Sequence, residues 1–189
     1  MDERSTWLPT TAYAVLGLLA AGREHTAYDL KQRADRSIAH IYWAPAMSAI
    51  YTELQRLERI GLVRHRLEAE TDARSKRVYR ITAEGQRALA EWVETGRHEP
   101  TVIKNTTLLR VLFGEGTDHG TLADRLDEHS EWAQVELDGL EQALAEERPL
   151  PGSDHGHRTP ALVLEAAIAS MRAEQRAAQA LATQLRTPR

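Results

Sequence analysis

The sequence contains no cysteine, which excludes a disulfide scaffold, a thiolate metal site and a thiol redox switch. It also lacks a long apolar run. The longest, Tyr13–Ala21, falls far short of the ~20 residues of a membrane span. No charged start leads into an apolar stretch and a small-residue cleavage site, so the expectation is a cytoplasmic protein with no membrane partner. There is no glycine-rich phosphate loop, nucleophile elbow or His-Glu-x-x-His motif, so neither an enzyme nor a cofactor is expected. Lysine is scarce, at 3 of the 24 basic residues, which reads as genome composition rather than function.

What is present fits one folded domain or two small ones. The chain has 189 residues, 42% of them hydrophobic and 28% charged. The net charge of −4 hides an asymmetry. Residues 56–80 carry 8 basic and 4 acidic residues, whereas residues 101–189 carry 9 and 14. A basic patch on one element matters more for a polyanionic partner than the whole-chain average.

Periodicity divides the chain. Thr10–Ala21 reads as a helix stopped by Gly22, with Val15, Leu16 and Leu19 on one face. Thr26 caps a second helix, Ala27–Arg36, with Asp29 in its first turn. The third, Ala46–Ile60, buries Ile50, Leu54 and Leu57, presents Ser48, Thr52, Gln55 and Arg59 on another face, and ends at Gly61. Leu62–Glu68 and Lys76–Thr82 read as a hairpin with a basic tip, and Thr82 caps a fourth helix with Leu89, Trp92 and Val93 apolar. This order is a winged helix-turn-helix. The fold class is therefore mainly α with a small β-hairpin, the N-terminal domain covering residues 1–97.

Residues 98–189 form a helical domain. A short helix, Asn105–Phe113, precedes a long one, Asp118–Glu147, in which Leu122, Leu126, His129, Ala133, Leu137, Leu140 and Leu144 repeat. After a Pro- and Gly-rich loop, Thr159 caps a last helix carrying Leu164, Ile168, Met171, Gln175, Ala178, Ala182 and Leu185. The two long helices form an antiparallel hairpin whose apolar seam exceeds what two helices bury alone, so pairing with a second copy as a homodimer is expected.

Several stretches resemble one family. Thr26-Ala27-Tyr28-Asp29-Leu30 is similar to the Gly-Tyr-Glu-Leu motif of PadR-family transcriptional regulators, with Ala27 replacing the glycine. Trp43–Leu54 with Leu57-Glu58 and Gly61-Leu62-Val63 resembles that family's recognition helix, and Lys76–Gly85 its wing strand and the following Thr-x-x-Gly. The second half resembles the branch with a virulence-activator-type C-terminal domain. The resemblance implies a homodimer on an inverted repeat of double-stranded DNA, usually as a repressor. Some members of the family respond to small aromatic or drug-like molecules.

On that fold the N-terminal residues of the third helix approach base edges in the major groove. The expected DNA-binding residues are Ser48, Thr52 and Gln55 toward bases and Tyr51 and Arg56 toward phosphate. Thr26, Tyr28 and Lys31 clamp the backbone, although Tyr28 reads first as a core residue. Arg74, Lys76 and Arg77 reach the backbone from the wing. Arg59 serves the helix dipole or the DNA. Trp7, Trp92 and Trp132 are candidates to hold a planar small-molecule effector, with stapling of the fold as the competing reading, while Trp43 is expected to support the recognition helix from the core. Asp154, His155 and His157 sit in a loop without chelate spacing, so no metal site is expected. The sequence leaves two alternatives: a winged helix used for protein contact, and a MarR-like regulator.

Overall fold

A computed structural model of the chain describes residues 8–20, 23–39, 41, 43–69, 75–96, 100–146 and 158–187. Trp7, Arg74 and the group Asp154, His155 and His157 lie outside the described residues. The chain folds as two compact units, residues 1–99 and 100–189.

The first unit runs α1 (Thr10–Leu19), α2 (Ala27–Ser37), α3 (Met47–Arg59), β1 (Val63–Ala69), β2 (Ser75–Ile81) and α4 (Ala83–Thr95). Its core is built from residues that recur on one helical face. Val15, Leu16 and Leu19 of α1 meet Leu30 of α2 and Ile50, Leu54 and Leu57 of α3, all fully buried. β1 and β2 pair antiparallel with Val63 opposite Ile81 and Glu68 opposite Lys76. Val63, Tyr79 and Ile81 close the core from the sheet side.

The ends of these helices are set by local chemistry. Thr26 and Asp29 form a reciprocal capping box. The Asp29 amide donates to Thr26 Oγ1 at 3.1 Å, and the Thr26 amide donates to the Asp29 carboxylate at 2.8 Å. At the end of α3, Gly61 adopts φ +78°, its amide bonds Glu58, and the Leu62 amide reaches back to Leu57 at 2.9 Å. That is a Schellman closure, which a β-carbon would strain. It turns the chain sharply into β1.

Three expectations about apolar residues need correction. Tyr28 is 61% exposed because Ala27, Leu30 and Ala34 already form the buried stripe of α2. Trp43 is 52% exposed, and the fully buried residue before α3 is Pro45 instead. Val93 also faces outward, leaving Leu89 and Trp92 to pack α4 on the core.

The second unit contains α5 (Thr106–Leu112), α6 (His119–Glu146) and α7 (Arg158–Arg186). Helix α7 begins at Arg158, so Thr159 lies inside it and not at its cap. Asp124 pairs with Arg186, Ser130 with Gln179 and Glu141 with Arg172, so α6 and α7 run antiparallel. Their seam has two apolar clusters. Leu126 and Ala123 pack on Ala178 and Ala182, and Leu137 and Leu140 pack on Leu164 and Ile168. Between them lies a polar layer in which Glu174 Oε1 contacts His129 at 2.9 Å and accepts from Asn105 at 2.8 Å. The Asn105 oxygen meanwhile caps α5 by accepting from the Leu108 amide.

Candidate nucleic-acid interface

The interface is organised by a short bridge. His25 and Tyr79 form an isolated antiparallel β-bridge, which holds the residue before Thr26 against the middle of β2. The start of α2 is thereby placed beside Ser75, Lys76 and Arg77. The side of α3 carrying Tyr51 completes a recess of about 500 Å³, lined by Thr26, Ala27, Tyr28, Tyr51, Ser75, Lys76, Arg77 and Tyr79. Five of the residues expected at DNA therefore come together from three separate elements. Such an open, tyrosine-rich and cationic recess suits a phosphate backbone better than an enclosed metabolite.

The remaining expected residues are arranged along α3 and α2. Ser48, Thr52, Gln55, Arg56 and Arg59 are all exposed on α3. The Thr52 hydroxyl donates to the Ser48 carbonyl at 2.9 Å, which leaves its oxygen able to accept. Arg56 lies 3.1 Å from Glu53, a carboxylate almost wholly buried in α3. Lys31 is paired with Asp35 one turn along α2 and is not among the residues that line the recess. The Thr26 hydroxyl is committed to the capping box, accepting from the Asp29 amide and donating to the Asp29 carboxylate. Its role is therefore to hold the start of α2 rather than to offer a free donor.

The wing carries an ion-pair chain that sequence reading missed. Arg66 on β1 bonds Glu24 through Nε at 2.8 Å and Glu68 at 2.9 Å. Glu68 in turn lies 3.4 Å from Lys76, its register partner on β2. Arg66 first, and Lys76 after it, hold the Glu68 carboxyl below the usual carboxylate range. Arg64 and Arg80 are also direct cross-strand partners. The hydrogen bond from Arg66 above all, and then the charges of Arg80 and Arg64, hold the Glu24 carboxyl low as well. The signal for this cluster was the alternation of Arg64, Arg66 and Glu68 along β1, legible only once the strand register is known. Arg77 is exposed and makes no hydrogen bond or ion pair among the described residues.

Of the candidate effector residues, Trp92 stacks on Tyr13 with ring centroids 4.8 Å apart, inside the first unit. Trp132 stacks on His129 at 5.3 Å in the second unit and remains 48% exposed. Among the described residues no group of three His, Asp or Glu side chains is placed to hold a metal ion. No helix of the described residues is long and apolar enough to cross a membrane.

Comparison with known proteins matches this arrangement. Residues 15–91 match the Transcriptional regulator PadR-like family, and residues 103–186 match Virulence activator alpha C-term. The Negative transcriptional regulator PadR of Bacillus subtilis (strain 168) is 26% identical over 151 residues, 77% of this chain and 82% of that protein. The crystal structure of Bacillus subtilis PadR in complex with operator DNA aligns with a TM-score of 0.79 at 22% identity, covering 94% of this chain and 99% of that one. The structure of the same protein in complex with p-coumaric acid aligns at 0.74 and 21% identity, covering 95% and 100%. At these identities the structural likeness shows the fold.

Proposed function

Because the chain belongs to the PadR-like family of transcriptional regulators, we propose that it is a homodimeric repressor acting on an inverted-repeat operator in double-stranded DNA. Family members are DNA-binding transcription factors, so the chain is a regulator and not an enzyme. The observation that carries the DNA contact is the convergence of Tyr28, Tyr51, Lys76 and Arg77 on one recess beside the exposed face of α3. In this reading Ser48, Thr52 and Gln55 reach base edges in the major groove. Tyr28, Tyr51 and the wing cations hold the phosphates that fix the register of α3. Arg56, released from Glu53, adds a further phosphate contact. Bacillus subtilis PadR, in its complex with operator DNA, supports the same use of this fold.

Dimerisation is supported by the second unit. Helix α5 buries none of its residues, and Leu109, Leu112 and Phe113 stay exposed, a patch suited to a second copy. Repression follows the name of the Bacillus subtilis relative. A small aromatic effector completes the reading, supported by the p-coumaric acid complex of that relative and by the exposed ring of Trp132.

The test is selection of genomic DNA fragments by the purified protein at ~150 mM salt, where sequence-independent binding is suppressed. Footprinting of the recovered fragments should show a protected inverted repeat upstream of a gene. No enrichment by a folded dimer would overturn the reading in favour of a winged helix that contacts protein.

A further inference from the structure

Lys76, one of the wing cations that line the recess, is not presented bare. Lys76 faces the Glu68 carboxylate at 3.4 Å across the β1–β2 register, and Glu68 is held in place by Arg66 at 2.9 Å. Arg66 is itself anchored through Nε on Glu24, in the segment leading into α2. The chain Glu24–Arg66–Glu68–Lys76 thus runs from that segment across the sheet to the edge of the recess. Asp29, whose carboxyl is held low first by the Thr26 amide, also feels the Lys76 charge. These side chains are about half exposed, so their pairing contributes little to stability.

We propose that Glu68 is a positioning residue that brakes DNA binding. It holds the Lys76 ammonium beside the recess in the free protein and must give it up to a backbone phosphate in the complex. The proposal rests on the DNA-binding reading above. When Lys76 moves to phosphate, condensed cations leave the DNA, but the abandoned Glu68 carboxylate gathers a cation in return. The net ion release per wing is therefore reduced. Because only phosphate is involved, the brake acts equally on every DNA sequence and leaves base reading by α3 untouched. It lowers the residence of the protein on cognate and non-cognate DNA alike, without any base contact.

The test uses the full-length wild type, Glu68→Gln, Lys76→Ala and the double variant. Each is titrated against a duplex of the footprinted sequence and a scrambled duplex, over a range of salt concentrations. The glutamine side chain keeps an acceptor for Arg66 but not the charge. The Glu68→Gln variant should bind both duplexes about two- to five-fold more tightly per wing. Its log affinity should fall more steeply with log salt, by up to about 0.9 per wing. Neither change should survive in the Lys76→Ala background, and the melting temperature should stay within a degree or so of wild type. Equal affinities and slopes for wild type and Glu68→Gln would overturn the proposal, as would an effect that persists without Lys76. Wild type that binds neither duplex would overturn the DNA-binding reading itself, a distinct result.

Discussion

His25 and Tyr79 exchange both of their peptide hydrogen bonds, at 3.0 and 2.8 Å, so β2 is flanked by β1 on one edge and by a single residue of the α1–α2 connection on the other. That residue has a cost attached. The Nε2 atom of His25 is buried without a hydrogen-bond partner among the described residues. Burial above all, and then the charge of Arg33, hold its pKa below the ordinary 6.5, while Asp29 pulls the other way. In the window just below 6.5 the unfolded chain takes up a proton that the folded chain refuses. Stability is full above that value and falls as pH drops through the window. Asp29 behaves differently: its depressed carboxyl pKa costs stability only as pH falls below 3.8. Urea midpoints measured from pH 7.5 downward should show the first loss in wild type. They should show less of it in His25→Gln, which keeps the bridge and removes the titrating ring. Parallel curves for the two proteins would dismiss this role for His25.

The junction of wing and fourth helix predicts a sharp contrast between two glycines. Thr82 caps α4 by accepting from the Gly85 amide at 3.0 Å, and its hydroxyl donates to the Gly61 carbonyl at 2.8 Å. This draws the first turn of α4 onto the chain leaving α3. A β-carbon at residue 85 would stand 2.2 Å from the Leu62 carbonyl oxygen and 2.8 Å from an Ile81 methylene. Backbone cannot yield there, so Gly85→Ala should destabilise by about 1–3 kcal/mol or more. At Gly17 a β-carbon meets nothing within 4 Å and the residue is helical and exposed. Gly17→Ala should therefore stabilise by about 0.5–1 kcal/mol. Denaturant melts of the two variants should move in opposite directions, and a shared sign would contradict the close packing at Gly85 and the open space at Gly17.

These elements were legible to different degrees. The Thr26–Asp29 box, the Gly61 stop and the repeat of Leu126, Ala133, Leu137 and Leu140 follow from rules that act within a turn or two of helix. They could be read from neighbouring residues alone. Tyr28 and Trp43 are exposed where the sequence suggests core positions. Their seats were already filled by Ala27 and Leu30 in one case and by Pro45 in the other. The bridge from His25 to Tyr79 and the Glu24–Arg66–Glu68–Lys76 chain join positions far apart in sequence. No local pattern encodes such pairings; they appear only when strand register and helix placement are both fixed. The recess was legible as a set of residues but not as one place.

That the expected contacts fall into two groups gives the DNA reading its sharpest test. Arg77 lines the recess, is exposed, and has no partner to lose among the described residues. Arg77→Ala should weaken binding to every duplex by a similar factor and lower the salt slope by about 0.9 per wing, as expected for loss of one phosphate contact. Gln55 lies outside the recess on the exposed face of α3, where its amide can pair with an adenine edge. Gln55→Ala should cost about 1–3 kcal/mol on the footprinted duplex and almost nothing on a scrambled one, with the salt slope unchanged. The two variants thus separate holding from reading. If Gln55→Ala weakened both duplexes alike and flattened the slope, Gln55 would be a backbone contact, and base discrimination would have to come from Ser48 and Thr52 or from the shape of the DNA.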